Sequence, residues 1–246
     1  MPSGQIALFV TCLVDILRPS VGFAAIKLLK EAGFSVAVPN QSCCGQPNFN
    51  SGDKSGARRI ARAHIAAFEA FDYVVAPSGS CAAMVKIHYQ ELFDAGTDDR
   101  RRAEDLARRT YELTSFLSDI AKVEIVRTRR VGSATYHDAC SGLRELGVKH
   151  QPRALLKSVD GLNFVEMHEA EACCGFGGTF CVKYPEISGR IVESKVENIE
   201  ASGADCVITG DVGCLLNIEG KLHRLGKSTP VYHVAEVLAG MTEDAP

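Results

Sequence analysis

Two stretches of the chain set adjacent thiols in front of a glycine: "SCCGQPNF" at residues 42–49 and "ACCGFGGTF" at residues 172–180. A disulfide between chain neighbours is disfavoured, because the dihedral and Cα separation it requires are hard to reach across one peptide bond. Two soft ligands on one tight turn are the chemistry such a pair suits. Gly45 and Gly175 supply the positive φ, or the close backbone approach, that a turn around a metal needs. Each pair has partners at a distance. Cys12 lies 31 positions before Cys43, and Cys140 lies 33 before Cys173. Cys81 follows Cys44 by 37 positions, and Cys214 follows Cys174 by 40. The candidate ligands are therefore Cys12, Cys43, Cys44 and Cys81 in the first half, and Cys140, Cys173, Cys174 and Cys214 in the second.

Four thiolates in one place favour zinc or an iron–sulphur cluster. Structural zinc sites typically use short Cys-x-x-Cys knuckles, and the sequence contains none. Wide spacings and an adjacent pair suit a multi-iron cluster better, because a cluster presents several metal atoms to several loops. Zinc, and redox-active or inert thiols, stay open on spacing alone. Cys206 and Cys181 have no counterpart in the first half, where the matching positions are Tyr73 and Ser51. Cys206, inside an apolar strand, reads as a small buried hydrophobe. Cys181 reads as packing, with a spare ligand as the other reading. His137 and Asp138, just before Cys140, read as hydrogen-bonded groups, with binding or tuning a metal as the alternative. "GFGG" at 175–178 has neither the spacing nor the position of the dinucleotide fingerprint, and reads as a loop shaped around the metal. After Cys44, "GQPNFNSGD" reads as a turn into a helix with Asn50 or Ser51 as the N-cap.

The elements that must carry these residues alternate. "QIALFV", "FSVAVP" and "DYVVAP" read as strands running into Cys12, Cys43–Cys44 and Cys81; "SATYHDA", "FVEMHEA" and "DCVITG" do the same for Cys140, Cys173–Cys174 and Cys214. Between them lie helical patterns. Pro19 opens one with Val21, Ala24, Ala25, Leu28, Leu29 and Ala32 on a stripe and Gly33 at its end. Ala57, Ile60, Ala61, His64, Phe68 and Phe71 mark a second, and Pro185 opens a third with Ile187, Ile191, Val192, Val196 and Ile199, ended near Gly203. In parallel sheets, ligand sites sit beyond the carboxyl ends of the strands. All three motifs of each half thus meet on one rim.

The halves are copies. "VVAPSGSCAAMV" (74–85) matches "VITGDVGCLLNI" (207–218), and "TYELTSFL" (110–117) matches "VYHVAEVL" (231–238). A repeat this long, occurring twice, means two similar domains in a pseudo-symmetric pair and not a solenoid. The expected fold class is α/β: two pseudo-symmetric halves, each with a mainly parallel sheet flanked by helices. The domains are expected at 1–122 and 131–246, joined through "AKVEIVRTRRVGS".

Composition fits this reading. With 46% apolar and 23% charged residues, the chain has the balance of a soluble globular protein. A net charge of -3 argues against a nucleic-acid partner. Arg100, Arg101 and Arg102 sit among acidic residues and read as a solvated helix face. "IALFVTCLV" is too short for a membrane span and lacks the flanks of a signal peptide. No membrane span is expected, and the location is expected to be cytoplasmic, where ten reduced cysteines suggest ligands and not disulfides.

Taken together, "CLVDILRPSVG", "CCGQPNFNSGD", "YHDAC" and "CCGFGGTF" resemble the lactate utilisation protein A family over nearly the whole chain. The two copies of Cys, Cys-Cys-Gly and a later Cys also resemble the cysteine-rich domains of heterodisulfide reductase and of the glycolate oxidase iron–sulphur subunit. The resemblance implies a cytoplasmic iron–sulphur subunit of a three-protein system that oxidises L-lactate to pyruvate. Its implied partners are a ferredoxin-like iron–sulphur protein and a third lactate-utilisation protein. In the heterodisulfide reductase relatives the last cysteine begins a Cys-x-x-Cys pair. Here Met84 and Asn217 stand three residues on, so four thiolates per half suit an ordinary four-iron, four-sulphide (4Fe–4S) cluster. A related arrangement in the wider family puts zinc in the first half. A heterodisulfide-reductase-like thiol/disulfide redox subunit and a zinc-stabilised scaffold subunit are the alternative functions.

Overall fold

The computed structural model describes residues 4–243. Strands β1 (Gln5–Leu8), β2 (Ser35–Ala37), β3 (Tyr73–Ala76) and β4 (Thr110–Glu112) form one sheet in the order β2-β1-β3-β4. Strands β5 (Arg129–His137), β6 (Asp160–Phe164), β7 (Cys206–Thr209) and β8 (Val231–His233) form a second, in the order β6-β5-β7-β8. Every pairing is parallel. Registers correspond as well: Ile6 pairs with Tyr73, and Ala134 pairs with Cys206. Since Cys12 and Cys140 each follow six residues after Ile6 and Ala134, the central strand pairs β1–β3 and β5–β7 correspond, and Cys206 falls on Tyr73 as the repeat requires.

The helices follow from local chemistry. Pro19 occupies the first turn of helix Pro19–Glu31, which buries Val21, Ala24, Ala25, Leu28 and Leu29, and Gly33 leaves it at φ 93°. Helix Lys54–Phe68 buries Ala57, Ala61, His64, Ile65 and Phe68. Its cap is Asp53, which accepts the Gly56 amide at 2.9 Å, and not Asn50 or Ser51. Those two residues close the preceding short helix Gln46–Asn50, where Ser51 is the C-cap. Asp53 wins because its carboxylate stands directly before the helix and is steadied by Asn48 at 2.8 Å. Helix Pro185–Ala201 buries Ser188, Val192, Lys195, Val196 and Ile199, while Ile187, expected on the buried stripe, is 54% exposed. The arginine run lies on helix Asp98–Arg108 and pairs with Glu104, Asp98 and Glu69. No helix among the described residues is long and apolar enough to cross a membrane.

"FVEMHEA" is not a strand beyond its first residue. β6 ends at Phe164, and the chain turns away with the Glu169 and Ala170 carbonyls directed at the Lys195 ammonium. β5 begins at Arg129, inside the segment that joins the halves.

One apolar core spans both halves, uniting Ile6, Leu28 and Phe116 of the first with Tyr136, Ile208 and Leu238 of the second. The outer face of each sheet has its own smaller core. The halves meet around a pseudo-two-fold axis. Helix Gly79–Ala83 packs on helix Cys140–Leu146, and, symmetrically, helix Cys12–Leu17 packs on helix Val212–Arg224. The first contact is so close that a Cβ on Gly79 would stand 2.8 Å from the Gly142 Cα. Polar groups are sealed in the same interface. Arg18 pairs with buried Glu236 at 2.9 Å, Ser20 donates to that carboxylate at 2.6 Å, and Arg18 also reaches the Val231 carbonyl.

Candidate metal centres

Cysteines follow the carboxyl ends of three adjacent strands in each sheet. Cys12 is the first residue of helix Cys12–Leu17, and Cys140 is the first of helix Cys140–Leu146. Cys81 is third in helix Gly79–Ala83, and Cys214 is third in helix Val212–Arg224. The Cys-Cys pairs sit on the loops after β2 and β6. Helix first turns offer free amides and a positive partial charge, which suits thiolates. Gly45 and Gly175 adopt φ 82° and 83°. A Cβ on Gly175 would meet the Ser188 carbonyl oxygen at 2.7 Å, so the residue after the second pair must be glycine on two counts. Thr11, just before Cys12, holds φ 71° and ψ 149°, a region nearly reserved for glycine. Gln41 braces that loop, accepting the Val10 amide at 3.0 Å and donating to the Leu8 carbonyl at 3.1 Å.

The cysteines of each half act on one another. Cys12 and Cys44 donate to Cys43, holding it as a thiolate at about 2, and the Gly45 amide assists. Cys12 and Cys44 are pushed up in return, first by that same bond, then by burial at Cys12 and by a bond with Cys81 and burial at Cys44. The second half repeats the pattern. Cys140 and Cys174 donate to Cys173, which falls to about 2, and the Gly175 amide lies 3.2 Å from its sulphur. Each centre therefore has one thiol whose pKa its neighbours lower, and a thiol that binds a metal gives up its proton. All ten thiols are free. Cys206 and Cys181 stand apart from this exchange. The Cys206 sulphur is 3.7 Å from the Ser133 carbonyl, and Cys181 donates to the Gly178 carbonyl at 3.2 Å.

The surroundings of the two centres differ. In the first half, buried His64 lies 3.0 Å from the Tyr89 hydroxyl and 3.4 Å from the Ser42 amide nitrogen, and burial holds it at about 4, so it is neutral. A Cβ on Gly45 would meet Ile60, and one on Gly175 would meet Ile191. Four residues on from these stand His64 and Lys195, which makes them equivalents. Lys195 is 1% exposed, and its Nζ donates to the Glu169 and Ala170 carbonyls at 2.5 and 3.2 Å. Burial lowers its pKa while Cys174, Asp138, Cys173 and Cys214 favour its charge. A cation beside Cys173 was not legible from neighbouring residues. The available signal was a lysine on the stripe of Val192, Val196 and Ile199.

His137 and Asp138 part company. Asp138 is hydrogen-bonded, held by both Nη atoms of Arg153 at 2.8 and 2.7 Å. His137, expected to be satisfied likewise, is not: it is fully buried and neither ring nitrogen has a hydrogen-bond partner among the described residues. An orphaned buried donor costs about 1–3 kcal/mol. Its ring nitrogen and the sulphurs of Cys174 and Cys214 all lie within 4.8 Å of one another. Burial and the nearby Lys195 charge hold it at about 3, leaving a free lone pair. Eight thiols in two sets, one beside an orphaned imidazole, fit a thiolate-bound metal in each half.

A cleft of about 270 Å³ opens beside the first set, walled by Cys12, Cys43 and Cys81 on one side and by Phe176, Val182 and Asp211 of the second half on the other. The described residues lining it include no Lys, Arg or His.

The model of the CCG cysteine-rich domain family matches residues 6–86 and again 134–219. Lactate utilization protein A of Shouchella clausii is 48% identical over 235 residues, covering 95% of this chain and 98% of its own. Lactate utilization protein A of Geobacillus kaustophilus is also 48% identical, with the same coverage. The crystal structure of a hypothetical protein from Helicobacter pylori superposes with a TM-score of 0.71 at 11% identity, over 98% of this chain. The chain spans 50% of that protein's length, and the likeness is one of fold.

Proposed function

This chain belongs to the CCG cysteine-rich domain family and, within it, to the lactate utilization protein A family, and from that premise we propose that it serves lactate utilisation as an iron–sulphur electron-transfer subunit. It works with a ferredoxin-like iron–sulphur protein and a third lactate-utilisation protein in the oxidation of L-lactate to pyruvate. The observation that supports this reading is the placement of Cys12, Cys43–Cys44 and Cys81, and of Cys140, Cys173–Cys174 and Cys214, beyond the carboxyl ends of adjacent strands, with Cys12 and Cys44 acting on Cys43 and Cys81 on Cys44 in the first half, and Cys140 and Cys174 on Cys173 and Cys214 on Cys174 in the second. Those residues would hold a 4Fe–4S cluster in each half, with zinc as the other occupant of the first. A cluster supplies one-electron transfer. The chain's own residues do the rest. The Cys-Cys-Gly turns and helix first turns offer thiolates and amides, the three apolar cores exclude water, and Lys195 offsets negative charge in the second half.

Removing hydride equivalents from lactate belongs to a partner on this reading. A lactate carboxylate calls for a cation, and the only charged side chain among the described residues lining the cleft beside the first cysteine set is the carboxylate of Asp211. One observation favours a second reading, thiol/disulfide chemistry: Cys43, its thiol pKa lowered by Cys12 and Cys44, lines the cleft. Metal analysis tests the relay. Protein purified without oxygen is expected to be brown, with iron and acid-labile sulphide in similar amounts. Stoichiometric zinc and no iron, from cells supplied with iron, refutes the relay. The iron-loaded chain alone is expected not to reduce a dye with L-lactate, and to do so only with its partner proteins.

A further inference from the structure

We propose that His137 is a metal ligand of the second-half centre, binding through a ring nitrogen beside Cys174 and Cys214, so that the two halves hold chemically different centres. This rests on the metal-binding reading above and adds a fifth ligand to the second half, so there either one cysteine gives up its iron to His137 or the centre is not an ordinary four-cysteine 4Fe–4S cluster.

Three independent features converge on this imidazole. It is 0% exposed at the carboxyl end of β5, on the rim where the cysteines gather, and both its nitrogens lack hydrogen bonds among the described residues. Buried polar groups nearly always find a partner, so an orphan pointing at a ligand set marks something that binds there. Its nitrogen lies within 4.8 Å of two sulphurs that also lie that close to each other, a triangle that one metal atom with bonds of roughly 2.0–2.3 Å can span.

The third feature is the repeat. Phe9 stands three residues after Ile6, and His137 three after Ala134, so the registers of β1 and β5 make them equivalents. Phe9 stacks edge-on against His64 at 4.9 Å between ring centres and fills its site as a hydrocarbon. An imidazole replaces that ring in the second half alone. Nearby polar groups are engaged elsewhere: Asp138 holds Arg153, and Lys195 donates to two carbonyls. The Ala170 carbonyl acts on the ring without meeting hydrogen-bond geometry. That carbonyl already accepts the Asp138 amide and the Lys195 ammonium, each at 3.2 Å.

The test is iron-57 Mössbauer spectroscopy of anaerobically loaded protein, comparing wild type with His137→Phe, the residue the first half already tolerates. A nitrogen-bound iron is expected as a distinct subsite of raised isomer shift in the wild type and is expected to vanish in the variant. Identical spectra overturn the proposal and leave the relay reading intact. Should the variant fail to fold, nitrogen-15 histidine labelling of the reduced wild type decides: a strong hyperfine coupling supports the ligand, and its absence refutes it. If the protein carries zinc and no iron, the relay reading falls. The ligand then stands or falls by zinc X-ray absorption, on whether His137→Phe or His137→Gln loses a light scatterer at about 2.0 Å.

Discussion

Cys206 and Cys181 show how little a cysteine's identity says without its place. Both share a chain with eight clustered thiols, yet each has found a backbone carbonyl instead. Replacing Cys181 by Ser or Cys206 by Ala is expected to leave metal content unchanged, at a stability cost of about 1 kcal/mol for the buried Cys206. Cys43→Ser and Cys173→Ser are expected to lose one centre each, as measured by iron and sulphide content. A Cys181→Ser protein short of a full centre would make that residue a ligand. Buried imidazoles set a pH dependence. His64 lies near 4 against an ordinary 6.5, and burial lowers His233 in the same direction. Between those values the unfolded chain binds more protons, so stability is complete above 6.5 and is lost as pH falls. In metal-free protein, His64 alone should cost about 2 kcal/mol between pH 7 and pH 5, read as a lower urea midpoint. His64→Gln should reduce that slope and leave the parts contributed by His137 and His233.

At the scale of elements, two glycines make opposite predictions. Gly79→Ala drives a methyl against the Gly142 backbone where the halves meet, and is expected to cost about 1–3 kcal/mol in thermal unfolding. Gly189→Ala, in helix Pro185–Ala201 with nothing within 4 Å of the new carbon, is expected to stabilise by about 0.5–1 kcal/mol. If both changes act alike, the close approach of the two helices is not what fixes Gly79. The strand–helix alternation, the doubled sheet and the shared rim were readable because period and punctuation are local. The early end of β6 was not, because it is drawn by Lys195, a full helix further along the chain. The Asp53 cap lay within reach of sequence reasoning but had Asn50 and Ser51 as equally good local competitors. His137 was visible as a residue, while its lack of partners is a property of the assembled core.

For the whole molecule, the core that spans both halves makes them one cooperative unit. Calorimetry is expected to show a single unfolding transition. Arg18→Met leaves the Glu236 carboxylate buried without its cation and should lower stability by about 3–5 kcal/mol, for both halves together. Two separate transitions would mean the shared core is weaker than its burial suggests. Asp211 ties the halves together differently. Its carboxylate caps its own helix at Gly213, 3.0 Å away, and takes bonds from Ser78 Oγ, Ser80 Oγ and the Ser80 amide at 2.9, 2.7 and 3.1 Å. The helix ends that carry Cys81 and Cys214 thus share one anchor, and whatever orders one lowers the entropy lost in ordering the other. Occupancy of the two centres should then be reciprocal: filling either raises the affinity of the other, by about 5-fold or more. Titrating metal-free protein should give a sigmoidal uptake curve, and Asp211→Asn should make it hyperbolic with both centres still able to fill.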